Sequence, residues 1–264
     1  MILVFDVGNT ETTVGLFDGV ELRTHWRLTT VAERTPDELA LVIVELLRFA
    51  GTDPKEIEGA AIASVVPAVT GPLAEACRGL TGRRAIVVNG GSPLPIRLEV
   101  DEPLTVGADR LINTLAASQL YHRDTIVVDL GTATTFDCIT ADGTFLGGAI
   151  APGVRTSADS LTRRTAKLPS TELVAPSRAI GTRTEECIRA GVVFGAADAI
   201  DGMVRRIKRE WPGGAVPWVV ATGGLAEVIQ PYCESFDLVA PNLTLEGLRI
   251  AYALLTPPLV TPEA

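Results

Sequence analysis

Apolar residues open the chain in short unbroken or alternating runs. Ile2–Phe5, Thr13–Phe17 and Val20–Leu28 read as three strands. Asp18-Gly19 joins the second and third as a tight hairpin. The period then becomes helical in TPDELALVIVELLRFAG, where Leu39, Val42, Ile43, Leu46, Leu47 and Ala50 share one face. Thr35 and Glu38 have capping-box spacing, Pro36 suits the first helical position, and Gly51 suits the stop. Ala60–Val66 predicts a buried strand, Pro67–Leu80 a helix and Ala85–Val88 a strand. The first part thus runs β-β-β-α-β-α-β. Gly90–Pro103, rich in Gly and Pro, predicts a crossing loop, and Val106–Tyr121 a helix starting near Gly107.

The pattern then starts again. Strand Thr125–Asp129 leads into LGTATTFDCITADGTFLGGAI, so VVDLGTATTF repeats VFDVGNTETT. Asp129 stands 123 residues after Asp6, and Gly131 the same distance after Gly8 (129 − 6 and 131 − 8). Asp18-Gly19 recurs as Asp142-Gly143 with one residue inserted. This is an internal repeat of a β-hairpin unit. Further on, Glu185–Arg209 predicts a long helix, Val216–Ala221 a strand that empties into Thr222-Gly223-Gly224, and Leu243–Leu255 a C-terminal helix. The Pro-rich tail after Thr256 is expected to be loose.

Composition narrows the function classes. The 264 residues are 47% hydrophobic, enough for a sizeable core in one large domain or two smaller ones. A net charge of −9 argues against nucleic acid as the main partner, which needs clustered Lys and Arg. It leaves room for a small anionic ligand held by a few local donors. No run approaches the roughly 18 apolar residues of a membrane span. No basic region precedes the first apolar run, and Asp6 interrupts that run, so it does not read as a signal peptide. Cys77, Cys138, Cys187 and Cys233 are far apart and form no CxxC; buried, reduced thiols in a cytoplasmic protein are expected. His25 and His122 fall outside every motif.

The strand-end turns carry the candidate chemistry. In Asp6–Thr13, a glycine can bare backbone N–H groups that, with Asn and Thr side chains, make a nest for phosphate oxygens. An aspartate at the strand end can hold a hydrated Mg²⁺. The plainer reading is an Asx-turn joining two hairpin strands. Two copies in register favour a ligand. There is no Gly-Lys-Ser/Thr and no GxGxxG after a strand, so neither a Walker loop nor a dinucleotide fold has support. Thr222-Gly223-Gly224 is a third candidate approach to a nucleotide, or a simple strand-to-helix turn. Val106-Gly107-Ala108-Asp109-Arg110 brings an acid and a guanidinium to a helix start. Asp109 can accept a hydroxyl proton and Arg110 can fix an anionic group, or both can be ordinary first-turn residues. Gly147–Gly153 can floor a pocket or leave a sheet, and Thr184 can cap the long helix or touch a ligand.

Taken together, DVGNT at Asp6–Thr10, GADR at Gly107–Arg110, DLGTATTFD at Asp129–Asp137, GGAIAPG at Gly147–Gly153, GTRT at Gly181–Thr184 and TGG at Thr222–Gly224 strongly resemble type III pantothenate kinase. The match is in order and at matching spacing over nearly the whole chain. The resemblance implies an α/β protein of the actin/hexokinase/Hsp70-like superfamily. It would have two tandem ribonuclease-H-like (actin-like) domains, about 1–118 and 119–264, with a central cleft. It implies ATP-dependent phosphorylation of pantothenate to 4′-phosphopantothenate, the first step of coenzyme A biosynthesis, in a cytoplasmic homodimer. Asp6, Val7, Gly8, Asn9, Thr10, Glu11, Thr12 and Thr13 would bind ATP with Thr132, Asp6 lying on the Mg²⁺ side. Asp129 would bind a monovalent cation, K⁺ or NH₄⁺. Gly107, Ala108, Asp109 and Arg110 would contact pantothenate with Thr184, and Asp109 would be the general base. One departure stands in the loop LPIRLEVDEPLTVGADR, which has Val100 near where members often carry an aromatic residue. Rival readings are a non-catalytic transcriptional accessory factor on this fold and a superfamily kinase or phosphatase acting on another small substrate.

Overall fold

The opening apolar run forms β1 (Ile2–Val7), which carries Asp6 inside the strand rather than after it. β2 (Glu11–Asp18) and β3 (Glu21–Thr29) follow as an antiparallel meander. The apolar face of α1 (Pro36–Phe49) then leads to β4 (Gly59–Ser64), α2 (Pro67–Thr81) and β5 (Ile86–Val88). β4 stops two residues before the predicted end, because the Ser64 hydroxyl takes the Val66 amide and Pro67 opens α2. The sheet order is β3-β2-β1-β4-β5, with β1, β4 and β5 parallel.

This structure, a computed structural model, describes residues 1–256; the expected loose tail lies outside the described residues. The chain divides into two compact units. The first holds residues 1–96, 101–116 and the chain from Thr244 on; the second holds Arg97–Val100 and Ala117–Leu243.

In the first unit, Leu3, Phe5, Val7, Val14 and Leu16 pack against Leu39, Ile43 and Leu47 of α1 and against Val69, Leu73 and Ala76 of α2. The alternation of a strand sends Val4 to the opposite face, beside Gly15 and Leu245. Leu245 belongs to the C-terminal helix, whose Gly247 lies against Ile112 and Ala116, while the Thr244 hydroxyl donates to Asn113 Oδ1 at 2.9 Å.

The second unit repeats the plan. Its elements are β6 (Arg97–Leu98), α3 (Ala108–Tyr121, shared with the first unit), β7 (Thr125–Leu130), β8 (Ala133–Ile139), β9 (Thr144–Pro152), α4 (Val154–Arg164), α5 (Thr184–Glu210), β10 (Trp218–Thr222), α6 (Ala226–Ile229) and β11 (Leu238–Val239). α7 (Leu243–Leu255) closes the described chain. The order β9-β8-β7-β10-β11 matches β3-β2-β1-β4-β5 strand for strand and direction for direction, with β6 added beside β9. Even the register breaks correspond: Leu16/Phe17 in the first hairpin and Cys138/Ile139 in the second. The alignment needs one correction. Thr13 faces Asp6 and Thr135 faces Asp129, 122 residues apart (135 − 13), so the first turn of the repeat is one residue shorter. Leu22 and Phe145 are again 123 apart (145 − 22), so the hairpin turn carrying Asp142-Gly143 is one residue longer.

β6 runs inside the expected crossing loop; two residues cannot announce a strand by periodicity. α4 also went unpredicted, because only Val154 of its eleven residues is buried and no apolar stripe marks it. The expectation of four buried thiols needs correction too. Cys77 and Cys138 are buried and Cys233 is half-buried, but Cys187 is exposed in the first turns of α5. Burial pushes the Cys77 thiol up to about 12. No helix among the described residues is long and apolar enough to cross a membrane.

Candidate active site

The two strand-end turns are built alike. Asp6 and Asp129 are the last residues but one of β1 and β7, and both are partly buried. Gly8 N donates to Glu11 O at 2.9 Å, and Gly131 N donates to Ala133 O at 3.0 Å. Each turn is braced by a threonine from outside it. The Thr30 hydroxyl donates to Gly8 O at 2.7 Å and lies 2.9 Å from the buried Thr12 hydroxyl, while Thr30 N donates to Thr10 O. In the second unit the Thr156 hydroxyl donates to Thr132 O at 2.6 Å. Gly153 lies so close to the carbonyls of Gly131 and Thr132 that any Cβ there would collide with them. The glycine that ends GGAIAPG thus serves close packing under the second turn. Thr30 and Thr156 have no such signal in the sequence: Thr30 follows β3 with no glycine or acidic neighbour, and Thr156 lies within the first turn of α4, past the glycine that ends GGAIAPG.

In the first unit the Gly107–Arg110 turn joins the Asp6–Thr13 turn at the carboxyl edge of the sheet. Gly107 packs against Val65, the residue just past β4, and Val65 N donates to Val7 O at 3.0 Å. Asp109 sits in the first turn of α3, where its Oδ1 accepts the Arg110 amide at 2.8 Å. That bond fixes the carboxylate plane. Asn9, Thr10 and Glu11 are exposed at the turn's tip, as a ligand-binding loop must be.

In the second unit Asp129 lies against Thr222-Gly223, and Thr132 stands three residues after Asp129 in the strand-end turn. Thr222 is the register partner of Asp129 on the neighbouring parallel strand. Gly223 has φ +87°, and a Cβ there would strike Asp129 Oδ1 and the Leu130 backbone. Only glycine lets the aspartate lie against this turn. Thr184 stands exposed in the first turn of α5 and does not cap it. Arg183 occupies the cap position without a side-chain bond, and Thr182 instead bonds Glu186 through its amide and hydroxyl, at 2.9 and 3.2 Å. The Thr182 amide holds the Glu186 carboxyl below the usual range. Val100 lies against Gly147 in the second unit.

Among the described residues, no group of three or more His, Cys, Asp or Glu side chains is placed to hold a metal ion. The donor sets are therefore sparse: one strand-end carboxylate in each unit, with hydroxyls and backbone around it. That suits a Mg²⁺ that keeps waters and phosphates at one aspartate, and a singly charged ion balanced by one carboxylate at the other.

The family model for type III pantothenate kinase matches residues 2–206. A type III pantothenate kinase of Moorella thermoacetica is 46% identical over 254 residues, covering 96% of this chain and 98% of that protein. The chain belongs to the type III pantothenate kinase family. Solved structures agree on the fold. A Campylobacter jejuni protein assigned to a Baf family of transcriptional activators superposes with TM-score 0.60 at 18% identity, covering 96% of this chain and 98% of that one. The ROK hexokinase of Thermus thermophilus gives TM-score 0.51 at 18% identity over the same shares. This chain therefore has the fold of those structures, with the duplicated sheets described above as its two halves.

Proposed function

We infer that this chain transfers the γ-phosphoryl group of ATP to pantothenate, giving ADP and 4′-phosphopantothenate at the entry to coenzyme A synthesis. The observation that carries this is the 46% identity to a type III pantothenate kinase over 96% of the chain. The likeness to the Baf family protein, at 18% identity, concerns the fold and gives the regulator reading no support.

The residues divide the work as follows. The Asp6–Thr13 turn, with its glycine amide and threonine hydroxyls, would hold the ATP phosphates from the first unit, and Thr132 would do so from the second. Asp6 would hold Mg²⁺ and Asp129 a monovalent cation; when bound, these ions offset phosphate charge. Gly107, Ala108, Arg110 and Thr184 would place pantothenate, with Arg110 facing its carboxylate. Asp109, tethered through Oδ1, would offer Oδ2 to orient the primary hydroxyl and take its proton during in-line attack. The domain boundary near residue 118, the joint use of both units' turns on one ATP, the homodimer and the cytoplasmic location belong to the same proposal.

The test is ADP release by purified protein with ATP and Mg²⁺, with and without pantothenate, in K⁺ and in Na⁺ buffer. Turnover that requires both pantothenate and K⁺ is expected. Pantothenate-independent turnover, or none from folded protein, would overturn the substrate assignment.

A further inference from the structure

The duplicated halves differ at one position that matters for ion binding. On the strand beside Asp6, the register partner is Ala63; on the strand beside Asp129, it is Thr222. Both are fully buried. The Ala63 site shows that this corner of the fold closes around a methyl group. The hydroxyl at Thr222 is therefore not required by packing.

The hydroxyl also lacks a partner. Thr222 Oγ1 has no exposed surface and no hydrogen bond. A buried hydroxyl without a partner is destabilising relative to an apolar replacement of the same shape. Its side chain shares a sheet face with Asp129. Ile126, Val128 and Leu130 of β7 and Val219 and Ala221 of β10 point into the core with α5, so the alternate residues Asp129 and Thr222 point the other way. Neighbouring strands lie about 4.8 Å apart, so the two side chains stand within reach of one small ion. At the left-handed Gly223 a Cβ would strike Asp129 Oδ1, so glycine there leaves the carboxylate its place at this corner.

We propose that Thr222 supplies an oxygen ligand to the monovalent cation held by Asp129, and so helps set the preference for K⁺ over Na⁺. The proposal rests on the cation assignment made above for Asp129. A neutral hydroxyl adds a hard oxygen to the shell without adding charge, so the site stays matched to a single positive charge. The hydroxyl reaches the ion by turning about χ1, which on a strand has more than one common staggered position.

The test uses full-length protein and four variants: Thr222→Val, Thr222→Ala, Thr222→Ser and Asp129→Asn. Two readouts are taken. One is the difference in Tm between K⁺ and Na⁺ at fixed ionic strength, with a non-hydrolysable ATP analogue and Mg²⁺. The other is the K⁺ concentration that half-saturates pantothenate-dependent ADP release. Thr222→Val and Thr222→Ala are expected to erase the K⁺-specific Tm gain and raise half-saturating K⁺ about tenfold or more, while Thr222→Ser keeps most of both. In Na⁺, Thr222→Val is expected to melt no lower than the parent, since it loses only an unpartnered hydroxyl. Parent-like K⁺ responses in Thr222→Val and Thr222→Ala, alongside a lost response in Asp129→Asn, overturn the Thr222 proposal and leave the cation assignment standing. A parent with no K⁺ response in either readout overturns both, while the kinase assignment is judged separately by the pantothenate dependence.

Discussion

Asp109 carries the sharpest prediction at the scale of a single residue. Its Oδ1 is engaged by the Arg110 amide, and Asn keeps that oxygen. Asp109→Asn therefore preserves the start of α3 and removes the proton acceptor. The expected result is a fall in kcat of about 10²–10⁴-fold, with the KM for ATP little changed. Steady-state kinetics of the purified variant decide it; near-parental turnover would remove Asp109 from the role of base. The candidate polar residues were legible in the sequence because they cluster near glycines: Asp6 and Asp129 at strand ends, Asp109 and Arg110 at the start of α3, and Thr184 in GTRT at the start of α5. Thr30 and Thr156 were not, because a bracing threonine has no local signature. It acts through a carbonyl more than twenty residues away.

The first helix makes a prediction at the scale of an element. Glu38 closes a capping box on Thr35, whose amide and hydroxyl bond its carboxylate at 2.8 and 3.0 Å. The Thr35 backbone bond, then the hydroxyl bond, hold the Glu38 carboxyl below its ordinary value. A carboxyl with a depressed folded pKa stabilises the helix start above its unfolded pKa and loses that contribution as pH falls through the folded one. The amides of the first turn of α1 are therefore expected to exchange faster below the ordinary Glu range, measured relative to mid-helix amides. Thr35→Ala is expected to abolish this pH dependence and to cost about 1 kcal/mol. Equal exchange in both proteins across that range would refute the account. The same box was visible in TPDE from the sequence, since capping is a four-residue affair. By contrast α4 has no apolar stripe, and β6 and β11 are two residues each, too short to carry a period.

At the scale of the whole molecule, the C-terminal helix is predicted to be essential to the first unit. Leu245, Leu248 and Ala251 of α7 are all buried, and the Thr244 hydroxyl reaches Asn113 across 131 positions of sequence. Removing the two leucines alone forfeits about 3–6 kcal/mol of burial, against a total stability for an ordinary domain of about 5–15 kcal/mol. A chain ending at residue 242 is expected to lose the cooperative melting of the first unit, in calorimetry or hydrogen exchange, while β7–β11 keep their protection. Intact protection of β1, β2 and β4 in the truncated chain would contradict this.

The sequence by itself determined the repeat, the strand-end aspartates, the α1 cap and the order of the motifs. Each of these is marked by local pattern, since periodicity and turn chemistry act over neighbouring residues, and the repeat shows as the same local pattern written twice along the chain. Only the tertiary structure decided that β6 leaves its neighbours to join the second sheet and that α7 returns to the first unit. It also decided that the parallel-strand partner of Asp6 is Ala63, while that of Asp129 is a buried threonine, Thr222, whose hydroxyl has no hydrogen bond. Those outcomes depend on which strands lie side by side, and strand pairing is fixed by the summed burial of many distant side chains rather than by any one segment.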